Sequence, residues 1–160
     1  MRYLIDGHNL IAKMSSIELG DPNCEAELVL LLRRWTARGS RRKVSVIFDG
    51  GLPGGENRLL STSRVQVVFA PRDRTADDLL IGRIRRLDNP AELAVVTGDH
   101  AVGDVAQTGK AKLISSSSFA RTLDAFDAQG ETLDQSEDRD ISDAEVDAWL
   151  ELFQGDPEDK

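Results

Sequence analysis

Cysteine and long apolar runs are both scarce in this sequence. Cys24 is the only cysteine among 160 residues, so no disulfide can form within the chain, and a zinc site of clustered thiolates is excluded. No apolar run approaches the roughly 20 residues of a membrane-spanning helix. Asp6, His8 and Asn9 interrupt the early apolar run, which argues against a signal peptide. We therefore expect a cytoplasmic protein with no membrane association.

A basic excess, the usual mark of a nucleic-acid partner, is also missing overall, because the formal net charge is −8. The charge is unevenly distributed. Residues 128–160 contain 12 acidic residues against Arg139 and Lys160, a local net of −10. Residues 1–127 contain 16 acidic and 18 basic residues, a net of +2. The acidity therefore belongs mainly to the C-terminal part, and the rest of the chain remains compatible with a polyanionic partner.

The sequence lacks the signatures of nucleotide-cofactor binding. The glycine-rich segment at 50–57 does not end in the Gly-Lys-Ser/Thr of a phosphate-binding loop, and no Gly-x-Gly-x-x-Gly follows the first apolar run. Because it contains four glycines and a proline, this segment is predicted to be an irregular loop. We expect no nucleotide cofactor.

Short apolar runs alternate with amphipathic segments over most of the chain. Strands are predicted at 2–5, 43–48, 65–70, 93–96 and 111–114. Helices are predicted at 25–38, 76–87, shortly after His100 and at 117–126. This alternation indicates an α/β protein, a doubly wound and mainly parallel sheet in a three-layer fold with right-handed crossovers.

The composition also predicts a division of the chain. Residues 1–127 form the domain, and the acidic, apolar-poor stretch at 128–142 is predicted to be a solvated linker. A capping box at Ser142–Glu145 and an apolar stripe predict a helical appendage at 143–154, and 155–160 form a tail.

Aspartates follow three of the predicted strands. Asp6, Asp49 and Asp99 stand at strand ends, and Asp77 and Asp78 open the helix at 76. Carboxyl ends of parallel strands meet at one edge of a sheet, where α/β proteins bind their ligands. Clustered carboxylates repel one another unless a cation bridges them, and oxygen-only ligands favour Mg²⁺ or Mn²⁺. Two such ions about 4 Å apart can activate a water against a phosphate ester, with no protein nucleophile.

Structural roles compete with this interpretation. Thr75 and Asp78 have the spacing of a capping box, and Asp99 could be the N-cap of the next helix. Asp6 and Asp49 each precede a glycine, as in ordinary turns. The coincidence of all these acids at strand ends and at a helix start is what favours a metal site.

Several other polar residues are candidate contacts to phosphate or RNA, and some of them could instead have structural roles. Asn9 could cap the first helix or hold Asp6 and a phosphate. His8 could contact phosphate, carry a proton or be structural. Arg72 and Arg74 directly precede the Thr-Ala-Asp-Asp step and are candidate phosphate contacts. Basic residues around Arg38–Lys43, including Arg41 and Arg42, could form a solvated face or an RNA footprint.

Four ordered motifs resemble a known family. They are Tyr-Leu-Ile-Asp-Gly-His-Asn-Leu-Ile at 3–11, Val-Ile-Phe-Asp at 46–49, Thr-Ala-Asp-Asp at 75–78 and Val-Val-Thr-Gly-Asp at 95–99. Over about residues 2–126 the chain resembles the YacP-like branch of the NYN domains. The resemblance implies a PIN-like fold and a divalent-metal endoribonuclease, in some members acting on messenger RNA at the ribosome.

The resemblance also implies roles for individual positions. Asp6, Asp77 and Asp99 match the family's acidic metal site, and Asn9 and Asp49 match its flanking polar positions. Two positions depart from the pattern, because His8 stands where tyrosine is common and Asp78 where glutamate is common, and Asp104 is a possible additional ligand.

The leading hypothesis is cleavage of single-stranded RNA by metal-activated water, with Asp6, Asp77 and Asp99 as the catalytic residues. One alternative is an RNA- or ribosome-binding module whose acid cluster is catalytically idle. Another is a small-molecule phosphohydrolase, although Asp6-Gly-His lacks the Asp-x-Asp pair of a phosphoaspartate mechanism.

Overall fold

A computed structural model describes residues 1–39, 41–50, 55–56 and 60–133. The strands are β1 (Arg2–Asp6), β2 (Lys43–Phe48), β3 (Gly55–Glu56), β4 (Val65–Phe69), β5 (Leu93–Val96) and β6 (Lys112–Ile114). The helices are α1 (Gly7–Ile11), α2 (Cys24–Ala37), α3 (Ala76–Arg85), α4 (His100–Thr108) and α5 (Ser116–Leu133), with a short 3₁₀ turn at Pro90–Glu92.

One sheet organises these elements, in the strand order β3-β4-β2-β1-β5-β6. Five strands are parallel, and only the two-residue β3 pairs antiparallel, with β4. Chain order reverses on either side of β1, which pairs with both β2 and β5. The predicted doubly wound parallel sheet is therefore confirmed, and its topological switch point lies between β1 and β5.

Alternating side chains divide the core between the two faces of the sheet. Ile5 and Phe48 pack with residues of α1, α2 and α5, whereas Leu4 and Ile47 pack on the opposite face beneath α3 and α4. Each buried leucine, isoleucine or phenylalanine contributes roughly 1.5 to 3 kcal/mol. The helices are amphipathic because each covers only one sheet face, and the result is the predicted three-layer arrangement.

Two local predictions were wrong, and one element was not foreseen. The glycine-rich loop contains β3, because Gly55 and Glu56 pair with Phe69 and Val68. Helix α1, which follows β1 without a loop, was not foreseen as an element of its own. Helix α5 begins at Ser116 and continues to Leu133, so the predicted end at 126 was too early.

The extension of α5 means that residues 128–133 of the predicted linker are helical. Just before this stretch, Asp127 forms a 2.7 Å ion pair with Arg34 of α2. The remainder of the linker, the predicted helix at 143–154 and the tail at 155–160 lie outside the described residues. Within the described ranges, no helix is both long and apolar enough to cross a membrane.

Candidate active site

Four aspartates meet at the carboxyl edge of the sheet. Asp6 is the last residue of β1, Asp49 follows β2, and Asp99 lies three residues beyond Val96, the last residue of β5. Asp77 comes from the first turn of α3. Asp6 is only 5% exposed, although an aspartate is rarely this buried without a partner. The parallel sheet thus gathers residues from four sequence segments at its switch point, as the sequence predicted.

The carboxylates are close enough to perturb one another. Burial, and then the charge of Asp77, raise the pKa of Asp6 from 3.8 to about 7, and the Asp77 side chain is also in hydrogen-bonding contact with it. Burial raises the pKa of Asp77 as well, followed by the charge of Asp99 and a hydrogen bond with its side chain. The charge of Asp49 acts on both Asp6 and Asp77. Asp6, Asp77 and Asp99 therefore form a chain of contacting carboxyl groups.

Backbone N–H groups hold these carboxylates in place. The Asp49 Oδ1 accepts a 2.6 Å hydrogen bond from the N–H of Ala76, the first residue of α3. Asp99 is the N-cap of α4, and its Oδ1 accepts from the Val102 N–H at 3.1 Å. The N–H of Asn9 bonds to Asp6 and acts against the rise in its pKa. The cap role of Asp99 is thus real, and it coexists with the contact to Asp77.

Asn9 ties the elements around the site together. Its Oδ1 accepts from the Gly98 N–H at 2.8 Å and from the Ser116 hydroxyl at 2.5 Å. Ser116 is only 1% exposed, and it starts α5 at the same sheet edge. Sequence reasoning missed Ser116, because nothing in a run of four serines distinguishes the buried one. The side chain of Asn9 therefore fixes the turn that carries Asp99.

His8 is engaged by the protein on both ring nitrogens. Nε2 lies 2.8 Å from the Glu25 carboxylate, and Nδ1 accepts from the Asp49 N–H at 3.3 Å. The hydrogen bond with Glu25 holds the pKa of His8 above its usual 6.5, against the effect of burial. Protonation at Nδ1 would remove the longer bond to Asp49. The geometry makes His8 a positioning residue between α2 and the Asp49 loop, and Glu25 is a partner that sequence reasoning missed.

Gly7 explains how α1 can begin directly after Asp6. A Cβ at this position would clash with the ring of Phe48. The absence of a side chain lets the α1 backbone lie against β2, and this close approach sets the positions of His8 and Asn9. Close packing against Phe48 therefore requires a glycine after Asp6.

Two of the predicted acids stand apart from the others. Asp78 and Thr75 form the reciprocal capping box, with bonds of 3.1 and 3.2 Å, and the side chain of Asp78 is exposed. Asp104 is exposed on the second turn of α4. The strongest charge effects on Asp6 and Asp77 come from other carboxylates. Asp78 therefore has the structural role that was the alternative to metal binding, namely capping the start of α3.

The predicted RNA-contacting arginines fall in two places. Arg72 and Arg74 are exposed on the loop that joins β4 to α3, on the approach to Asp77. Arg41 and Arg42 precede β2 and thus lie at the opposite edge of the sheet. The guanidinium of Arg42 stacks 4.2 Å from the Trp35 ring centre and donates to the Trp35 carbonyl at 2.8 Å, so this side chain is largely committed to packing.

The donor chemistry of the cluster suits a hard divalent cation, because it consists of carboxylate oxygens alone. The positions of these side chains fit a bound ion less well than their chemistry does. In the described part of the chain, no three acidic, histidine or cysteine side chains converge closely enough to surround an ion as they stand. The neighbouring carboxyl groups of Asp6, Asp77 and Asp49 raise one another's cost of ionisation, and a cation bound among them would relieve that repulsion.

Comparison with known proteins gives a consistent family and fold. The sequence profile of the YacP-like NYN domain matches residues 3–151. The crystal structure of Rae1 (YacP) from Bacillus subtilis is similar, with a TM-score of 0.63 and 24% identity over 82% of this chain and 78% of that one. Its W164L mutant gives a TM-score of 0.63 and 22% identity over 82% and 79% of the two chains. No curated protein sequence matches significantly. The structural likeness confirms the PIN-like fold.

Proposed function

Because this chain belongs to the YacP-like NYN domain family, we propose that it is an endoribonuclease that hydrolyses phosphodiester bonds of single-stranded RNA. We further propose Mg²⁺ or Mn²⁺ as its cofactor and Asp6, Asp77 and Asp99 as its catalytic residues. The single observation that carries the proposal is the contact of these three carboxylates at the switch point of the sheet, the place where such folds bind ligands.

The chain's own residues have separable roles in this proposal. Asp6, Asp77 and Asp99 would hold the cation, which when bound supplies the charge that activates water and stabilises the phosphate's developing charge. Asp49 orients the start of α3 through the Ala76 N–H, and so positions Asp77. Asn9 positions the Asp99 turn, and His8 positions Asp49.

The raised pKa of Asp6 gives the proposal a pH dependence. Below about 7 the Asp6 carboxyl keeps a proton, which competes with a cation for the same oxygens. Cation affinity is therefore expected to rise with pH up to neutrality, and cleavage at limiting metal should rise with it. This dependence is a property of the buried site, because an exposed aspartate is already ionised at pH 5.

RNA contact is proposed for the loop before α3. Arg72 and Arg74 are exposed and immediately precede the helix that carries Asp77, so their guanidinium groups can neutralise phosphates near the cleavage point. The family resemblance makes messenger RNA in the cytoplasm, including messenger RNA on the ribosome, the substrate to test first.

The decisive assay is cleavage of an end-labelled single-stranded RNA with Mn²⁺ or Mg²⁺ and with chelator. The matched pair is Asp77→Asn and Asp78→Asn, adjacent residues of which only Asp77 contacts the acid cluster. We expect metal-dependent cutting by the wild type and by Asp78→Asn, and a loss of at least a hundredfold for Asp77→Asn.

Other results would redirect the assignment. RNA binding without cutting, under every metal condition, would favour an RNA- or ribosome-binding module. Turnover of a simple phosphomonoester with intact RNA would favour a small-molecule phosphohydrolase. Equal loss of cutting in Asp77→Asn and Asp78→Asn would contradict the assignment of a catalytic role to Asp77 and of a capping role alone to Asp78.

A further inference from the structure

The sheet face beneath α3 and α4 carries positive charge at its amino edge. Leu4 of β1 and Ile47 of β2 pack on this face, and residues two or four positions earlier on a strand share it. Those residues are Arg2 and Lys43, and the register places them directly opposite each other. Like charges at opposite positions of neighbouring strands destabilise a sheet. This pair therefore costs stability that an anion bound beside it would restore.

A third cation comes from the end of α3. Arg86 is the C-cap of that helix, and together with Arg2 and Lys43 it lines a recess of about 330 Å³, the amino-edge recess. In the described part of the chain, none of these three side chains forms an ion pair with a carboxylate, and no aspartate or glutamate lines the recess. A phosphate monoester carries about −1.5 to −2 charges at pH 7, so it matches three cations better than a carboxylate does.

The amino-edge recess also contains a directed hydrogen-bond donor. The Oε1 atom of Gln66 accepts from the Ser45 hydroxyl at 3.0 Å and from the Arg83 guanidinium at 2.9 Å. These two bonds fix the orientation of the amide, so its Nε2 group faces the other way. Among the described residues, this Nε2 group donates to no acceptor. A ligand with a carbonyl oxygen would supply the acceptor.

Apolar side chains complete the lining of the recess. Leu4, Leu87 and Leu93 belong to it or pack against the core below it. They offer a surface on which a flat ring can pack. The volume lies near the lower end of the roughly 300 to 1,000 Å³ that small-molecule sites occupy. The recess therefore suits one small ligand with a doubly charged end, a ring and a carbonyl group.

We propose that the amino-edge recess binds a nucleoside monophosphate, with the phosphate among Arg2, Lys43 and Arg86. Gln66 donates to a carbonyl oxygen of the base, and the base packs on the leucines. The bound unit is either a free nucleotide or the 5′-phosphorylated end of an RNA strand, because both present the same groups.

This site is separate from the acid cluster. Its cations stand at the amino ends of β1 and β2, whereas Asp6 and Asp49 stand at the carboxyl ends of the same strands. It needs none of the glycine-rich motifs that the sequence lacks, because those motifs bind phosphate at the carboxyl ends. The inference therefore goes beyond the proposed function and does not depend on it.

The test is isothermal titration calorimetry in the presence of chelator, so that the outcome does not depend on RNA cleavage. The probes are UMP, uridine, ribose 5-phosphate, and tri-uridine with either a 5′-phosphate or a 5′-hydroxyl. The variants are Lys43→Gln and Arg86→Gln, with Arg85→Gln as the matched control. Arg85 and Arg86 are adjacent and both exposed, but only Arg86 lines the recess. Thermal unfolding checks that each variant is folded.

We expect saturable binding of UMP by the wild type. Uridine should bind at least about tenfold more weakly, because it lacks the charged contacts, and ribose 5-phosphate should lose about as much with the base. Lys43→Gln and Arg86→Gln should each weaken UMP binding by about three- to fivefold, as expected for an exposed charge pair, and Arg85→Gln should stay within about twofold of wild type.

The two sources of the ligand are distinguished by the trinucleotides. Binding of UMP alone supports a free nucleotide, and tighter binding of the 5′-phosphorylated than of the 5′-hydroxyl tri-uridine supports an RNA end. Equal binding of UMP and uridine would overturn the proposal, and so would equal binding of UMP and ribose 5-phosphate, which would leave an unselective anion site. Equal losses in Arg85→Gln and Arg86→Gln, or no saturable binding of any phosphorylated probe, would overturn it as well.

Discussion

Replacing Asp6 with asparagine should stabilise the protein at neutral pH while removing a catalytic group. Asparagine has the same shape, can still accept from the Asn9 N–H and can donate to Asp77, but it carries no charge. The wild type must either ionise a 5% exposed carboxyl beside another carboxylate or keep it protonated. The variant avoids both costs.

The magnitude follows from linkage between protonation and folding. The pKa of Asp6 is about 7 in the folded protein and 3.8 when unperturbed. A pKa raised by folding means that the folded state holds the proton more tightly, so stability falls as pH rises from about 4 to about 7 and is then constant. At 1.36 kcal/mol per pH unit, the full effect is on the order of 4 kcal/mol. Asp6→Asn should gain up to this amount at pH 8 and almost nothing at pH 4.

The assay is urea unfolding with chelator across this pH range, for wild type, Asp6→Asn and the exposed control Asp104→Asn. The control should stay within about 0.5 kcal/mol of wild type at every pH. Adding Mn²⁺ at pH 8 should stabilise the wild type more than Asp6→Asn. A destabilised Asp6→Asn at pH 8, or a gain in stability that does not change with pH, would contradict a raised pKa of Asp6 in the folded protein.

Three further substitutions test the surrounding structure. Gly7→Ala should cost about 1 to 3 kcal/mol of unfolding free energy, because its Cβ would clash with Phe48, and denaturant unfolding measures this. Thr75→Ala removes the N-cap of α3 and should cost about 1 kcal/mol in the same assay, and an unchanged midpoint would contradict the capping box. Asp124→Ala should cost about 1 to 3 kcal/mol, because this carboxylate accepts four hydrogen bonds from two consecutive serines of the loop after α1. Burial would raise the pKa of Asp124, but these bonds lower it, so its contribution is present above the ordinary aspartate range and lost as pH falls below it; a cost that persists in acid would contradict this.

The sequence contained enough to predict the sheet and the acid cluster, for a physical reason. Strand formation in a parallel sheet depends on short buried runs, and such runs fix where each strand ends. Once the class is α/β, the residues after those ends must share one edge, so Asp6, Asp49 and Asp99 could be grouped without coordinates. The capping box of Thr75 and Asp78 could be predicted because it is local, with both partners in one helical turn.

What could not be predicted depends on contacts between distant segments. Ser116 meets Asn9 across 107 positions, and Asp124 meets Ser15 across 109. No local pattern marks either pair. Strand β3 pairs with the edge strand β4, and Asp127 of α5 bonds to Arg34, which lies 93 positions earlier in the chain. Tertiary bonding of this kind overrides local composition.

The most direct test of the central claim is Mn²⁺ binding, followed by the loss of the free-ion signal in electron paramagnetic resonance at pH 8 without RNA. Wild type, Asp77→Asn and Asp104→Asn form the series. We expect saturable binding by the wild type and Asp104→Asn, and at least tenfold weaker binding by Asp77→Asn. Equal binding by all three proteins would contradict a metal site at the carboxylates of Asp6, Asp77 and Asp99.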